Sequence, residues 1–156
     1  MPPAWIDVVA DLDTALEAVR LAAEKAESLT GLTADLRQDR EIAIGKLVHD
    51  AYSAAEKAIE RLVEMVDGSV PGGSSFHRDL LRRAAHPAEG RPAMLSPEMA
   101  AALQELLGFR HVFRHVYGGF DYAKARPVVT LAAAAIPRLR DELLAFAAAL
   151  GLAPRA

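Results

Sequence analysis

With 156 residues, the chain is long enough for one ordinary hydrophobic core and too short for two comfortable domains, so we expect a single domain over residues 1–156. A hydrophobic fraction of 52% and a charged fraction of 25% are typical of a soluble globular protein and exclude the disordered and fibrous classes. The net charge of −3 argues against indiscriminate nucleic-acid binding, and the lack of cysteine excludes disulfides, thiolate metal sites and thiol nucleophiles.

The sequence contains no candidate membrane span. Its longest apolar stretch covers residues 128–136, about half of what a membrane-spanning helix needs. The N-terminal segment lacks a basic region and carries the early acid Asp7, which argues against a secretory signal. We therefore expect a cytoplasmic protein.

The first half of the chain has the pattern of two long helices. Apolar residues recur every three or four positions over 5–26, which predicts one amphipathic helix with a single buried face. The same spacing over 36–66 predicts a second helix, capped by Thr30 or Thr33 and ended by Gly68. We expect the two helices to pack antiparallel, because each has one apolar face to bury.

Shorter helices are predicted in the second half. A loop rich in glycine and serine over 68–75 precedes a short helix over 76–85. Ser96, followed by proline and an acid, begins a helix that continues towards the two glycines at 118–119.

A last helix is predicted to begin after Asp121 and to reach about Leu150, interrupted or kinked at Pro127 and Pro137. No segment alternates apolar and polar residues, so no sheet is expected. The predicted fold is an all-α, antiparallel bundle of about five helices.

Arginine and histidine are concentrated at the end of the fourth predicted helix. A solvated helix face would normally carry Glu, Lys or Gln, so this composition indicates a functional site. The surrounding residues 77–126 carry eight basic and five acidic side chains on an otherwise acidic chain, an arrangement able to receive phosphates. The clustered residues are Arg110, His111, Arg114, His115 and Tyr117.

These residue types suit cleavage of an RNA phosphodiester. A histidine can take the 2′-hydroxyl proton or protonate the leaving 5′-oxygen, and an arginine offers a fork of donors to the phosphate. His111 and His115 have a spacing able to hold a metal, but no acid on that face completes a ligand set, so no metal and no cofactor are expected. Arg110 and His115 lie about 140° apart around a straight helix. We therefore predict a composite site in a homodimer.

Arg110, His115 and Tyr117 match the R-x4-6-H-x-Y signature of the HEPN superfamily, and the chain resembles its HepT-like toxins in particular. The flanking segments 107–109 and 118–121 are also similar to that family, as are the segment from 76 to 81 and the order of the helices. The resemblance covers nearly the whole chain in architecture and about twenty residues in motif.

The resemblance implies a metal-independent RNA endonuclease acting as the toxin of a toxin–antitoxin pair, with Arg110 and His115 as its catalytic residues. Tyr117 would be the tyrosine that a partner nucleotidyltransferase antitoxin modifies with AMP. His111 stands where the family commonly has Asn, and it would support the site together with Arg114.

Four further residues ahead of the motif are candidates for extending a phosphate-binding track, although exposed arginines are most often simply solvated: His77, Arg78, Arg82 and Arg83. Two other functions stay open on the residues alone. One is a non-catalytic nucleotide- or partner-binding subunit of a small nucleotidyltransferase, and the other is an inert helical scaffold.

Overall fold

The computed structural model describes residues 3–115 and 121–153, with side chains from 4 to 110 and from 121 to 153. Within those ranges the chain forms five helices and no strand, and one isolated bridge joins Ala88 to Arg91. The all-α prediction is therefore confirmed. The helices are α1 (Pro3–Glu27), α2 (Ala34–Asp67), α3 (Phe76–Ala85), α4 (Pro97–His115) and α5 (Tyr122–Ala149).

The two long helices α1 and α2 pack as an antiparallel hairpin. Near the connecting loop, Nη1 of Arg40 donates to Oγ of Ser28 at 2.6 Å. Near the far end, Nε of Arg61 donates to Oδ2 of Asp11 at 2.7 Å. The early residues of one helix thus meet the late residues of the other, as predicted from their apolar faces.

The remaining helices close the core over this hairpin. Helix α5 packs against α1, α2 and α4, while α3 lies between α2 and α4. Leu80 and Leu81 of α3 and Leu103 of α4 are fully buried in the shared core. This arrangement brings the later part of α4 close to α2 and α3.

Short polar residues begin the helices, and a glycine ends one of them, at positions that the sequence predicts. Thr33 is the N-cap residue of α2, although its side chain makes no cap hydrogen bond, and Gly68 ends the helix with φ of 77°. Oγ of Ser96 accepts a hydrogen bond from the backbone amide three residues on, at 3.1 Å. Oδ1 of Asp121 caps α5 in the same way, at 3.1 Å from the amide two residues on.

Of the two alternatives predicted for the last helix, an interruption is excluded, because α5 is continuous through Pro127 and Pro137, and a kink at these prolines stays a prediction. Each proline costs about 3 kcal/mol in a helix interior. Fully burying a Leu or Ile side chain contributes about 1.5–3 kcal/mol, and one continuous face of α5 buries Ile136, Leu139 and Leu143 completely. The burial offsets the lost helical hydrogen bonds.

A buried arginine holds the loop between α3 and α4. The Arg91 side chain is 1% exposed, and its Nε and Nη2 donate to the two carboxylate oxygens of Asp67 at 2.6 and 2.8 Å. Its other hydrogen bonds go to the carbonyls of Arg83, His86 and Pro92. These bonds tie the end of α2 to the segment that leads into α4, and they hold the pKa of Asp67 below its usual range.

Replacing Arg91 by alanine is expected to lower the free energy of unfolding by about 3 kcal/mol, because the Asp67 carboxylate is left without its counter-charge. Urea denaturation measures the change. Arg82→Ala is the matched control, since that side chain is 68% exposed and pairs only locally with Asp79, and it should cost less than about 1 kcal/mol. Equal stability of the two variants would contradict the assigned role of Arg91.

The ion pair between Asp67 and Arg91 makes the free energy of unfolding depend on pH. Because the pKa of Asp67 is lowered in the folded protein, its contribution is complete above the unfolded carboxyl pKa of about 3.9. The contribution is lost as the pH falls through the lowered folded value. Arg91→Ala should therefore flatten the acid limb of the stability curve.

Candidate functional site

Arg110 lies in the last turn of α4 for which side chains are described, and it is half-buried. Its place is set by the apolar face of the helix, since Leu106, Leu107 and Phe109 are all buried in the core. The helix cannot rotate without exposing these side chains, so the root of Arg110 is held against α2 and α3.

A chain of polar contacts joins Arg110 to the interior of α2 through α3. The Tyr52 hydroxyl donates to Oε2 of Glu56 at 2.8 Å. Nδ1 of His77 lies 2.9 and 2.8 Å from Oε1 and Oε2 of the same carboxylate. Nε2 of His77 lies 3.5 Å from Nη1 of Arg110. We call these four residues the polar network.

The inner half of the polar network is buried. Tyr52 is 1% exposed and Glu56 is 8% exposed, so the carboxylate depends on protein donors in place of water. The Tyr52 hydroxyl and the His77 imidazole supply them. Burial and the neighbouring Glu56 carboxylate raise the pKa of Tyr52 well above its usual range, so the phenol stays protonated as a donor.

The partners of His77 determine where its proton lies. A carboxylate can only accept, so Nδ1 carries a proton towards Glu56. Arginine can only donate, so Nε2 accepts from Arg110, at the long limit of hydrogen-bond distance. The geometry thus places the imidazole between a carboxylate and a guanidinium.

Arg110 itself is incompletely satisfied. Its Nε is buried and has no hydrogen-bond partner among the described residues. The ion pairs of the described residues include none between a carboxylate and this guanidinium. A buried donor without a partner costs about 1–3 kcal/mol, so the hydrogen-bonding capacity of Arg110 is only partly used by the described residues.

A small pocket opens beside His77. It has a volume of about 160 Å³ and lies between the start of α3 and the later part of α4. That volume corresponds to on the order of five water molecules, enough for a group of phosphate size. Its lining residues are Ser74, Ser75, His77, Arg78 and Leu107.

The structure divides the four predicted phosphate-track residues into two groups. His77 and Arg78 line the pocket near Arg110. Arg82 and Arg83 instead line a separate pocket of about 360 Å³. Arg82 pairs with a carboxylate at 2.6 Å, and Arg83 donates to the Ser69 carbonyl at 3.0 Å. Only the first pair is brought to the motif helix.

Several predicted site residues fall outside the described side chains. His111, Arg114 and His115 belong to α4, but only its backbone is described there. Tyr117 lies outside the described residues altogether. The convergence of Arg110 with His115 therefore stays a prediction.

The sequence reading missed Tyr52 as a polar contact and missed Glu56 entirely. A signal for Glu56 exists in the pattern of α2. The residue stands four positions after Tyr52 and three before Ile59, both fully buried, so an acid occupies the register of the buried stripe. A buried carboxylate needs partners, which makes such a position a candidate for a polar cluster.

No group of three His, Cys, Asp or Glu side chains within the described ranges is placed to hold a metal ion. None of the described helices combines the length and the apolar character that crossing a membrane requires.

A family model described as HepT-like protein matches residues 43–150. The matched range contains all four residues of the polar network and the whole motif segment 110–117. No curated protein and no solved structure matches the chain.

Proposed function

The chain belongs to the HepT-like protein family, and from that premise we propose that it is a metal-independent RNA endonuclease of the HEPN type, acting as the toxin of a toxin–antitoxin pair. The observation that carries the proposal is the state of Arg110. Its guanidinium contacts an imidazole that lines a pocket, it forms no direct ion pair with a carboxylate among the described residues, and it stands at the first position of the R-x4-H motif.

The proposed reaction is an attack of the RNA 2′-oxygen on the adjacent phosphorus. His115 takes the 2′-hydroxyl proton or protonates the departing 5′-oxygen, and solvent water makes the other of these two proton transfers. Arg110 donates to the phosphate as negative charge develops on it. The new bond is 2′-O–P and the broken bond is P–O5′. The products are a 2′,3′-cyclic phosphate and a free 5′-hydroxyl.

We propose that the working unit is a homodimer, because Arg110 and His115 lie about 140° apart around one helix. In a two-fold dimer the arginine of one copy can meet the histidine of the other across a groove. His111 and Arg114 support the same groove. Arg78 extends the phosphate contacts on one side of it, beside His77, whose two ring nitrogens already face Glu56 and Arg110. Arg82 and Arg83 would extend the contacts only for a longer RNA.

The proposed partner is a nucleotidyltransferase-type antitoxin in the cytoplasm. Tyr117 follows His115 by two positions, so an AMP group on its hydroxyl would add a negative charge close to the site. That charge would compete with the RNA phosphate for Arg110 and would silence the nuclease.

The test is cleavage of a defined single-stranded RNA by the purified wild-type protein in the presence of EDTA. We expect cleavage with 2′,3′-cyclic phosphate ends, and no cleavage of the same oligonucleotide when it is made entirely of 2′-deoxynucleotides. An inactive wild-type homodimer that still binds its nucleotidyltransferase would overturn the nuclease in favour of a non-catalytic partner subunit.

A further inference from the structure

Among the described residues, Glu56 forms no hydrogen bond or ion pair with Arg110, yet it is connected to that guanidinium through His77. Its carboxylate holds Nδ1 of His77, and the second nitrogen of that ring faces Arg110. We infer that Glu56 is a positioning residue for Arg110, acting through His77. The inference rests on the proposed nuclease function for its catalytic consequence, and on the polar network for its geometry.

The imidazole between the two charges has a specific consequence. If Glu56 bound Arg110 directly, the bidentate carboxylate pair would compete with phosphate for the same fork of donors. His77 instead offers a single acceptor to Nη1. Arg110 is therefore oriented through Nη1, while its Nη2 donors stay out of a carboxylate pair among the described residues.

The carboxylate is itself rigidly placed. It is 8% exposed, and the Tyr52 hydroxyl holds Oε2 from one turn earlier on α2, at 2.8 Å. Tyr52 is fixed in turn by its burial in the core. Two short hydrogen bonds and one long one thus connect the buried core to the guanidinium of Arg110. Connections of this kind preorganise a reacting group.

Glu56→Gln tests the inference because it keeps the shape of the side chain and removes its charge. We expect kcat for RNA cleavage to fall by about tenfold to a hundredfold, the usual cost of losing a group that orients a site residue. KM should change by less than about threefold, since the phosphate contacts remain. Glu64→Gln is the matched control, because it makes the same change at an exposed position of the same helix. Its kcat should equal that of wild type.

A merely structural role is separated by combining substitutions. If Glu56 acts through Arg110, Glu56→Gln should cause no further loss of kcat in an Arg110→Ala background. His77→Asn keeps an N–H donor near the position of Nδ1 but has no acceptor at the position of Nε2, so it should show the kcat loss with a melting temperature near that of wild type. A further tenfold loss in the double variant, or full activity of His77→Asn, would overturn the inference.

A second readout does not depend on activity. The Arg110 Nε–H resonance in a nitrogen-15 NMR spectrum, identified by its loss in Arg110→Ala, should shift in Glu56→Gln and stay in place in Glu64→Gln. An unmoved resonance in Glu56→Gln overturns the positioning role. If wild-type protein fails to cleave RNA while the resonance shifts as expected, the nuclease proposal fails and the contact from Glu56 to Arg110 stands.

Discussion

Alanine at Arg110 or at His115 is expected to abolish most RNA cleavage while the helical fold persists. Losing a general acid or base typically costs about a hundredfold to ten-thousandfold in rate, which is the loss we expect for His115→Ala. Losing one donor to a developing negative charge costs about a hundredfold to a thousandfold, which is the loss we expect for Arg110→Ala. Single-turnover cleavage rates measure both effects.

The control for these two variants is Arg138→Ala, which removes an exposed arginine from α5. It should leave the cleavage rate within about twofold of wild type, as surface substitutions usually do. Far-ultraviolet circular dichroism should be the same for all three variants. The proposed roles are contradicted if His115→Ala or Arg110→Ala cleaves as fast as Arg138→Ala.

Mixed dimers are expected to regain activity that neither parent variant has. In a heterodimer of Arg110→Ala and His115→Ala copies, one of the two composite sites combines an intact arginine with an intact histidine. Heterodimers purified through two different affinity tags should therefore reach about half of the wild-type rate. The other site of each heterodimer lacks both residues and should be silent.

The opposite outcome is equally clear. If each site uses Arg110 and His115 of one copy, every site in the heterodimer lacks one residue, and the mixed dimer should be as inactive as its parents. Dilution gives a second check, because a composite site should lose activity as the dimer dissociates. Full activity from a proven monomer would remove the composite site from the proposal.

Most of the helical framework could be predicted from the sequence because its signals are local. Apolar residues at spacings of three and four define each buried face, and residues such as Gly68, Ser96 and Asp121 mark the helix ends. The continuity of α5 through its two prolines could not be predicted in this way. It depends on burial against three other helices, which no local pattern reports.

The candidate site was predicted only in part, for a related reason. Arg110 stands within a recognisable short motif, but its connection to α2 depends on a pairing between His77 and Glu56, which are 21 residues apart. The pairing of Arg91 with Asp67 also joins residues that are distant in sequence. So does the pairing of Glu142 with Ser96, 46 positions earlier, whose backbone amide and hydroxyl donate to the Glu142 carboxylate. Such long-range polar pairs are set by helix packing.

The most direct test of whether the motif arginine and histidine serve one phosphate is a double-mutant cycle. Single-turnover cleavage rates are compared for wild type, Arg110→Ala, His115→Ala and the protein with both substitutions. Residues that act as a unit give non-additive losses, so we expect the double variant to be no slower than the slower single variant. Losses that multiply fully would show that the two side chains act independently, which contradicts a shared site.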